Sequence, residues 1–306
     1  MERVFQYKIT KNLDERTVED VLKNFEYSSR IIARLRQTKD GLQINNSTVY
    51  TTYPVSEGEI LTVRLIDDDS TSHILPVHLP FEIIYEDADI LVINKPANMP
   101  IHPSQGNYEN TLANAVAYYF QSKGESFVYR AINRLDRDTT GLLVLAKHML
   151  SGGILSQMVA NRKIHRQYLA IVSGNAPSIG SIEAPIARAA NSTIERCIDF
   201  PKGEYAKTHF RKLETINMGD GKIFSFITLK LETGRTHQIR VHMKYIGHPL
   251  LGDFIYNPDY SHFKRQTLHS YYLSFAHPIT KKRMEFYAPL PKDFVSILPD
   301  NYQFDL

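Results

Sequence analysis

The 306-residue chain has a single cysteine, Cys197, and no tryptophan. One cysteine forms no internal disulfide and supplies no CxxC metal knuckle. The 12 histidines are scattered, and His237 and His242 stand five apart, a spacing that suits neither one helical face nor one strand face, so no metal site is expected. GxxxxGK[ST], HExxH, GxSxG and GxGxxG are all missing. Their absence removes the usual nucleotide-hydrolase, zinc-protease and serine-hydrolase readings. No apolar run approaches the roughly 18 residues of a membrane-crossing helix. The opening "MERVFQYKITKN" has no apolar signal core, so a cytoplasmic location is expected. An excess of one charge is lacking too: 36 basic against 33 acidic residues leave a net charge of +3. That balance is compatible with nucleic acid without pointing to it, because clustering decides.

What is present is a globular composition, 42% hydrophobic and 23% charged, which supports a sizeable core and argues against disorder. "TVEDVLKNF" and "SSRIIARLRQTKDG" carry apolar residues at helical spacing, the second behind a Ser28/Ser29 cap, with Arg30 and Arg34 sharing a face. Strand-like "LQINN" and "ILTVRLI" follow. "DDDSTSHILPVHLP" then reads as a polar, proline-bearing linker. These features predict a small unit over 1–70, a linker at 71–80 and a large unit over 81–306. In the large unit, "TLANAVAYYFQSKG" predicts a helix capped by Thr111. "GLLVLAKH" predicts a strand buried on both faces, and "THFRKLETI" and "FSFITLKLE" predict a hairpin across "MGDG".

Three basic clusters sit at boundaries between loops and elements. "NRLDRDTTG", residues 133–141, sets Asp136 and Asp138 among Arg134 and Arg137. "NRKIHRQYLA" gathers Arg162, Lys163, His165 and Arg166 ahead of Tyr168. In "LETGRTHQIRVHMKYIGHPLLGD" Thr236 is read as the cap of a helix running to Gly247, with His237, Arg240 and Lys244 along one face. Each cluster alone is compatible with an ordinary solvated surface. Together they suggest a reaction on a phosphate-bearing substrate. Arginines attract phosphates, and a carboxylate beside arginine is kept in its charged form, suited to act as nucleophile or base. The chemistry of the residues does not say which reaction.

These residues resemble the RluA/RluD-type pseudouridine synthases of the large ribosomal subunit. "NRLDRDTTGLLVLAK" is similar to that family's HRLDxxTSGLLLLAK signature, "RQYLAIVSG" to its KxYLAxVxG segment, and "LETGRTHQIRVHMKYIGHPLLGDFIY" to its third motif. "IIYEDADILVINKPANMPIHP" and "RQTLHSYYLSFAHPITKKRMEFYAPLPKDF" resemble its opening and closing segments, and all five run in the family's order from about 81 to 294. The small unit loosely resembles the alpha-L (S4-like) RNA-binding module. Asn133 stands for the family's usual histidine, Thr140 for serine, Arg166 for lysine and Asn98 for glycine, which puts substrate choice rather than activity in question.

The resemblance implies an α+β fold, with a catalytic domain on a mixed, largely antiparallel sheet with flanking helices and a small alpha-L domain ahead of it. It implies isomerisation of uridine to pseudouridine in ribosomal or transfer RNA, by a monomer needing no cofactor. Asp136 is the implied nucleophile, and Asp138 is read as surface or turn. Tyr168 would stack on the target base, and Arg240 would pair with Asp136 through its fork, with Arg235 the second choice. Arg134 would fill the gap left by a flipped base. Arg137, Arg166, Arg235, His237 and Lys244, with Arg30 and Arg34 of the small unit, are the expected RNA contacts. The competing reading is a non-catalytic RNA-binding or ribosome-assembly protein on the same fold. A metal-dependent nuclease lacks the clustered acids it would need.

Overall fold

A computed structural model describes residues 2–67, 74–218 and 220–299. The first unit contains β1 (Glu2–Lys8), α1 (Val18–Asn24), α2 (Ser29–Gln37), β2 (Leu42–Ile44), β3 (Ser47–Thr48) and β4 (Ile60–Ile66). Thr17 and Ser28 cap the two helices by accepting from Asp20 N and Ile31 N, as their residue types favour. The strands pair antiparallel in the order β1-β4-β2-β3. The unit is thus a small sheet carrying two short helices, an arrangement that does not by itself define the expected alpha-L module.

The second unit runs β5 (Glu82–Glu86), β6 (Ile90–Lys95), α3 (Leu112–Ser122), β7 (Thr140–Ala146), α4 (Met149–Ala160), β8 (His165–Ser173), β9 (Ile179–Glu183), β10 (Ile186–Arg188) and β11 (Arg196–Ile198). It continues with β12 (Lys207–Asn217), β13 (Ile223–Leu231), α5 (Gln238–Tyr245), β14 (Leu268–Ala276), β15 (Arg283–Tyr287) and α6 (Lys292–Val295). Its main sheet has the order β5-β6-β7-β14-β8-β13-β12-β9, with β15 also on β14. Every pairing in it is antiparallel except β7 with β14. This is the mixed, largely antiparallel α+β fold expected. Thr111 caps α3 in a reciprocal box with Asn114. Strand β7 is buried at every position, as its unbroken apolar run requires.

Two glycines set the geometry that the site depends on. Gly141 has φ +108, and a Cβ there would lie 2.2 Å from Ser270 O, so only glycine lets β7 approach β14 so closely. Gly252 has φ +64, and a Cβ there would lie 2.1 Å from Arg265 O. This close approach directs the following residue, Asp253, inward.

The two units share one continuous buried cluster. Phe5, Ile31 and Leu35 of the first belong with Ile90, Leu142 and Ile154 of the second. Arg3 Nε donates to Asp89 Oδ1 at 2.9 Å, Arg130 Nη2 donates to Asp67 Oδ1 at 2.9 Å, and Lys281 pairs with Glu26. The expected linker falls partly on 68–73, outside the described residues. Its later part is tied down: Val77 N donates to Asn114 O at 3.1 Å, and Ile74 and Leu79 pack on the second core. A polar linker suggests that a chain lacking 1–70 would fold alone. The shared core reverses that expectation, because deletion would bare its apolar face. The truncated protein should be insoluble, or bind a hydrophobic dye and melt well below the full chain. A soluble monomer with full-length Tm would contradict this.

Candidate active site

Three segments of the second unit deliver the central residues. The turn ahead of β7 carries Asp136, β8 carries Tyr168, and α5 carries Arg240. Asp136 and Arg240 meet at a cleft of about 670 Å³ whose lining also includes His102, Arg134, Arg137 and His237. A smaller pocket opens from the same residues and is lined by Tyr168, Leu268, Ile239 and Arg235 together with Asp136 and Arg240.

Arg240 is 1% exposed. Its Nη1 donates to Asp136 Oδ2 at 2.9 Å, while Nε and Nη2 donate to Asp253 Oδ2 and Oδ1, each at 2.7 Å. The ion pair anticipated from sequence is present, but the fork is not spent on Asp136. It grips Asp253, and Asp136 receives the one remaining edge. Asp253 is 0% exposed, and its Oδ1 also accepts from Ile255 N and Tyr256 N at 3.1 Å. Burial works against the charge on Arg240, yet the Asp253 hydrogen bonds and the Asp136 and Asp253 charges outweigh it and raise its pKa. Asp136 is therefore presented to the cleft as half of an ion pair whose other half is clamped from behind.

The expected cap of α5 is corrected. His237, not Thr236, holds the N-cap, in a left-handed conformation with φ 59, and makes no side-chain capping bond. The turn carries the imidazole into the site instead: Nε2 stands 3.8 Å from Asp136 Oδ2 and Nδ1 lies 2.9 Å from the Tyr256 hydroxyl. That hydroxyl oxygen accepts from Arg196 N at 2.8 Å. Burial pushes the His237 pKa down to about 4 against the pull of the Asp136 charge, with Arg240 adding to the fall. With its pKa so lowered, His237 offers the cleft a neutral hydrogen-bonding surface.

Asp138 lies in a turn, one half of its expected reading, but it is buried rather than at the surface. It accepts from Asn98 N at 3.2 Å and from Arg137 Nε and Nη2 at 3.1 and 2.9 Å. It thereby fastens the Asp136 turn to the segment after β6. Lys95 ends that strand with 0% exposure, and its Nζ donates to the carbonyls of Pro96, Met99 and Arg137 at 2.7, 2.9 and 2.9 Å. Burial lowers its pKa to about 7 against the pull of Asp138 and Asp136. Among the departures from the family pattern, Asn133 Oδ1 accepts from Val144 N at 3.1 Å, and Thr140 Oγ1 lies 2.8 Å from His269 Nδ1. Thr140 acts within the fold behind the cleft, whereas Asn133 is also part of the cleft's lining.

The expected RNA contacts divide into groups. Arg134 and Arg137 are exposed at the cleft, with Arg137 5.4 Å from the Phe254 ring. Arg235 is exposed, donates to Tyr205 O at 3.1 Å and pairs with Glu204. Arg166 lines a separate groove of about 590 Å³ on the other side of Arg134. Arg30 and Arg34 line a third groove, between α2 and α4, that shares His102, Ala131 and Ile132 with the cleft. Lys244 does not reach the cleft, and its Nζ lies over the Tyr256 ring at 5.4 Å. Sequence reasoning missed Asp253 and Lys95. Asp253 closes the third basic segment, where attention fell on the cations. Lys95 stood as the end of a strand and showed nothing of its burial.

Among the described residues one group, Asp87, Asp89 and His277, brings possible metal ligands within 4.8 Å of one another. Its atoms are engaged: Asp87 Oδ1 accepts from Asp89 N and Ile90 N, each at 2.8 Å, Asp87 Oδ2 meets His277 Nε2 at 2.9 Å, and Asp89 Oδ1 meets Arg3 and His148. None of the three lines the cleft. No helix among the described residues is long and apolar enough to cross a membrane.

Comparison with known proteins makes the chain an RNA-modifying isomerase. The family model for RNA pseudouridylate synthase matches residues 89–245, and the chain belongs to the RluA/RluD-type family of RNA pseudouridine synthases. It is 38% identical over 283 residues to the uncharacterized RNA pseudouridine synthase YjbO of Bacillus subtilis, covering 92% of this chain and 98% of that one. It is 42% identical over 235 residues to ribosomal large subunit pseudouridine synthase D of Haemophilus influenzae, covering 72% of this chain and 71% of that one. Human RNA pseudouridylate synthase domain containing 1 has a similar solved structure, with a TM-score of 0.58 and 28% identity over 69% of this chain and 84% of that one. The family match does not reach the first unit.

Proposed function

We propose that the chain converts specific uridines of structured RNA to pseudouridine with Asp136 as nucleophile, and that ribosomal RNA is its substrate rather than transfer RNA. The observation that carries the reading is the Arg240–Asp136 ion pair at the floor of a cleft flanked by Tyr168 and fringed by Arg134 and Arg137. The choice of RNA rests on relatives named for the large ribosomal subunit.

Asp136 is reached only by a nucleotide that leaves its stack, at a cost of a few kcal/mol. Exposed Arg134, at the cleft mouth, fills the gap and offsets part of that cost. The reaction breaks the bond from the ribose anomeric carbon to N1 of uracil, rotates the base and rejoins the carbon to C5. The C5 proton departs and N1 gains a proton, so the isomerisation involves no net oxidation or reduction. Asp136 attacks the ribose or the base, Tyr168 stacks on the uracil, and Arg240 holds the carboxylate. The protein acts as a cytoplasmic monomer, without metal or cofactor.

RNA carrying tritium at uridine C5 tests this, because rejoining through C5 releases the label to water. Release from unmodified large-subunit ribosomal RNA is expected, to persist in excess EDTA once RNA folding is controlled for, and to be absent from transfer RNA. No release from either RNA would overturn the isomerase reading. Loss on chelation restored by added zinc or magnesium would overturn the metal-free one.

A further inference from the structure

The groove beyond Arg134 is not used by the chemistry above. Its cations are Arg134, Arg162, Arg166, Lys230 and Arg235, and its one acid is Glu232. Glu232 is engaged elsewhere: His209 Nε2 lies 2.6 Å from its Oε1 and Lys207 Nζ 3.7 Å from the same oxygen. The groove is therefore strongly positive, and it abuts the pocket that holds Asp136 and Tyr168 through the shared Arg134 and Arg235.

Two of its cations have no part in the reaction. Lys230 is exposed on β13, paired in register with Gln167, the neighbour of Tyr168 on β8. Arg162 is exposed two residues beyond the end of α4, with φ 55. The first residue past a helix cap is where a left-handed glycine is the default, because a side chain there is strained. An arginine keeps its charge in the groove at that position in spite of the strain. Its nearest ion pair, with Glu232 at 4.0 Å, is long and solvent-exposed and contributes little.

We propose that this groove is a second RNA subsite, holding backbone phosphates of the strand that flanks the target nucleotide, with Arg162 and Lys230 as its dedicated contacts. The inference rests on the RNA reading above and deepens it. The substrate strand runs through both sides of Arg134, one side in the catalytic cleft and the other on this groove, so Arg134 stands where the base is drawn out. Phosphate is the matching chemistry, since guanidinium and ammonium groups line the groove and no phenyl or phenol ring does.

Arg162→Gly, Lys230→Ala and the double variant test it on unmodified large-subunit ribosomal RNA. Affinity is measured by filter binding in an Asp136→Asn background, and rate by single turnover at saturating enzyme. The double variant should bind roughly tenfold more weakly. Its slope of log affinity against log salt should fall by about 1.4, since each single-strand phosphate that is no longer neutralised removes about 0.7. Its saturating rate should equal wild type. Arg162→Gly alone should raise Tm by roughly 2 °C while weakening binding, because glycine relieves the backbone; a purely structural arginine would not separate the two. Unchanged affinity and salt slope, or a lower saturating rate at unchanged affinity, would overturn the subsite. If the wild-type protein binds with the expected groove dependence but converts no uridine, the isomerase reading fails and the subsite stands. If the double variant converts uridine with wild-type KM, the subsite fails and the isomerase reading stands.

Discussion

Asp136→Asn is expected to lower the single-turnover rate of uridine conversion by more than roughly 10³-fold, with RNA affinity within a few-fold of wild type. The amide keeps the size of the side chain and still offers an oxygen to Arg240 Nη1, so the fold is preserved while the charge that does the chemistry is gone. Asp138→Asn is the matched control. Asp138 is spent on Asn98 N and Arg137, so its loss should lower Tm and leave the saturating rate within about tenfold of wild type. Circular dichroism and rapid-quench assays on the two variants check both halves. An Asp136→Asn enzyme of near wild-type rate would remove Asp136 from the reaction.

The second large effect is expected at the clamp behind it. Asp253→Ala leaves Arg240 buried without the two bonds that hold its fork, and Arg240→Ala leaves Asp253 buried beside two backbone N–H groups with its counter-charge gone. Breaking one side of a buried pair costs about 3–5 kcal/mol, so each single variant should melt far below wild type and convert uridine poorly. Removing both charges should be milder for stability than either removal alone, because no uncompensated charge remains. Activity should not recover, since Asp136 has still lost its partner. Arg240→Lys should rescue neither property well, because a point charge cannot serve two carboxylates with the geometry of a fork. Thermal melts and single-turnover rates across the cycle decide it. Full additivity in stability, or activity in the double variant, would count against the clamp.

The parts of the site that were legible in the sequence are those in which charge is out of place. Two aspartates among arginines before a buried strand marked the Asp136 turn, and an arginine one turn into α5 marked the partner. How the partner divides its donors was not legible. Asp253 lies across a loop whose direction depends on Gly252 passing close to Arg265 O, an approach between segments that no local pattern encodes. His237 shows a similar limit. Threonine is the better cap by residue type, but the chain turns left-handed one residue later and trades a capping bond for the company of Tyr256 and Asp136. In the fold, the hairpin of β12 and β13 and the caps of α2 and α3 followed from local rules. The insertion of β14 beside β7, the one parallel pairing of the main sheet, did not, because it joins segments more than a hundred residues apart. Nor did the docking of the first unit. The polar stretch near residue 70 describes the chain between the units, whereas the shared core of Phe5, Ile31, Leu142 and Ile154 decides whether they separate.

Transcriptome-wide pseudouridine mapping tests most directly whether this chain makes pseudouridine in cellular RNA through Asp136. The comparison is between cells lacking the gene and the same cells supplied with the wild-type chain or with Asp136→Asn. One or more ribosomal RNA sites should be unmodified without the gene, return with the wild-type chain and stay unmodified with Asp136→Asn. Unchanged pseudouridine in every RNA on deletion, or restoration by the Asp136→Asn chain, would contradict it.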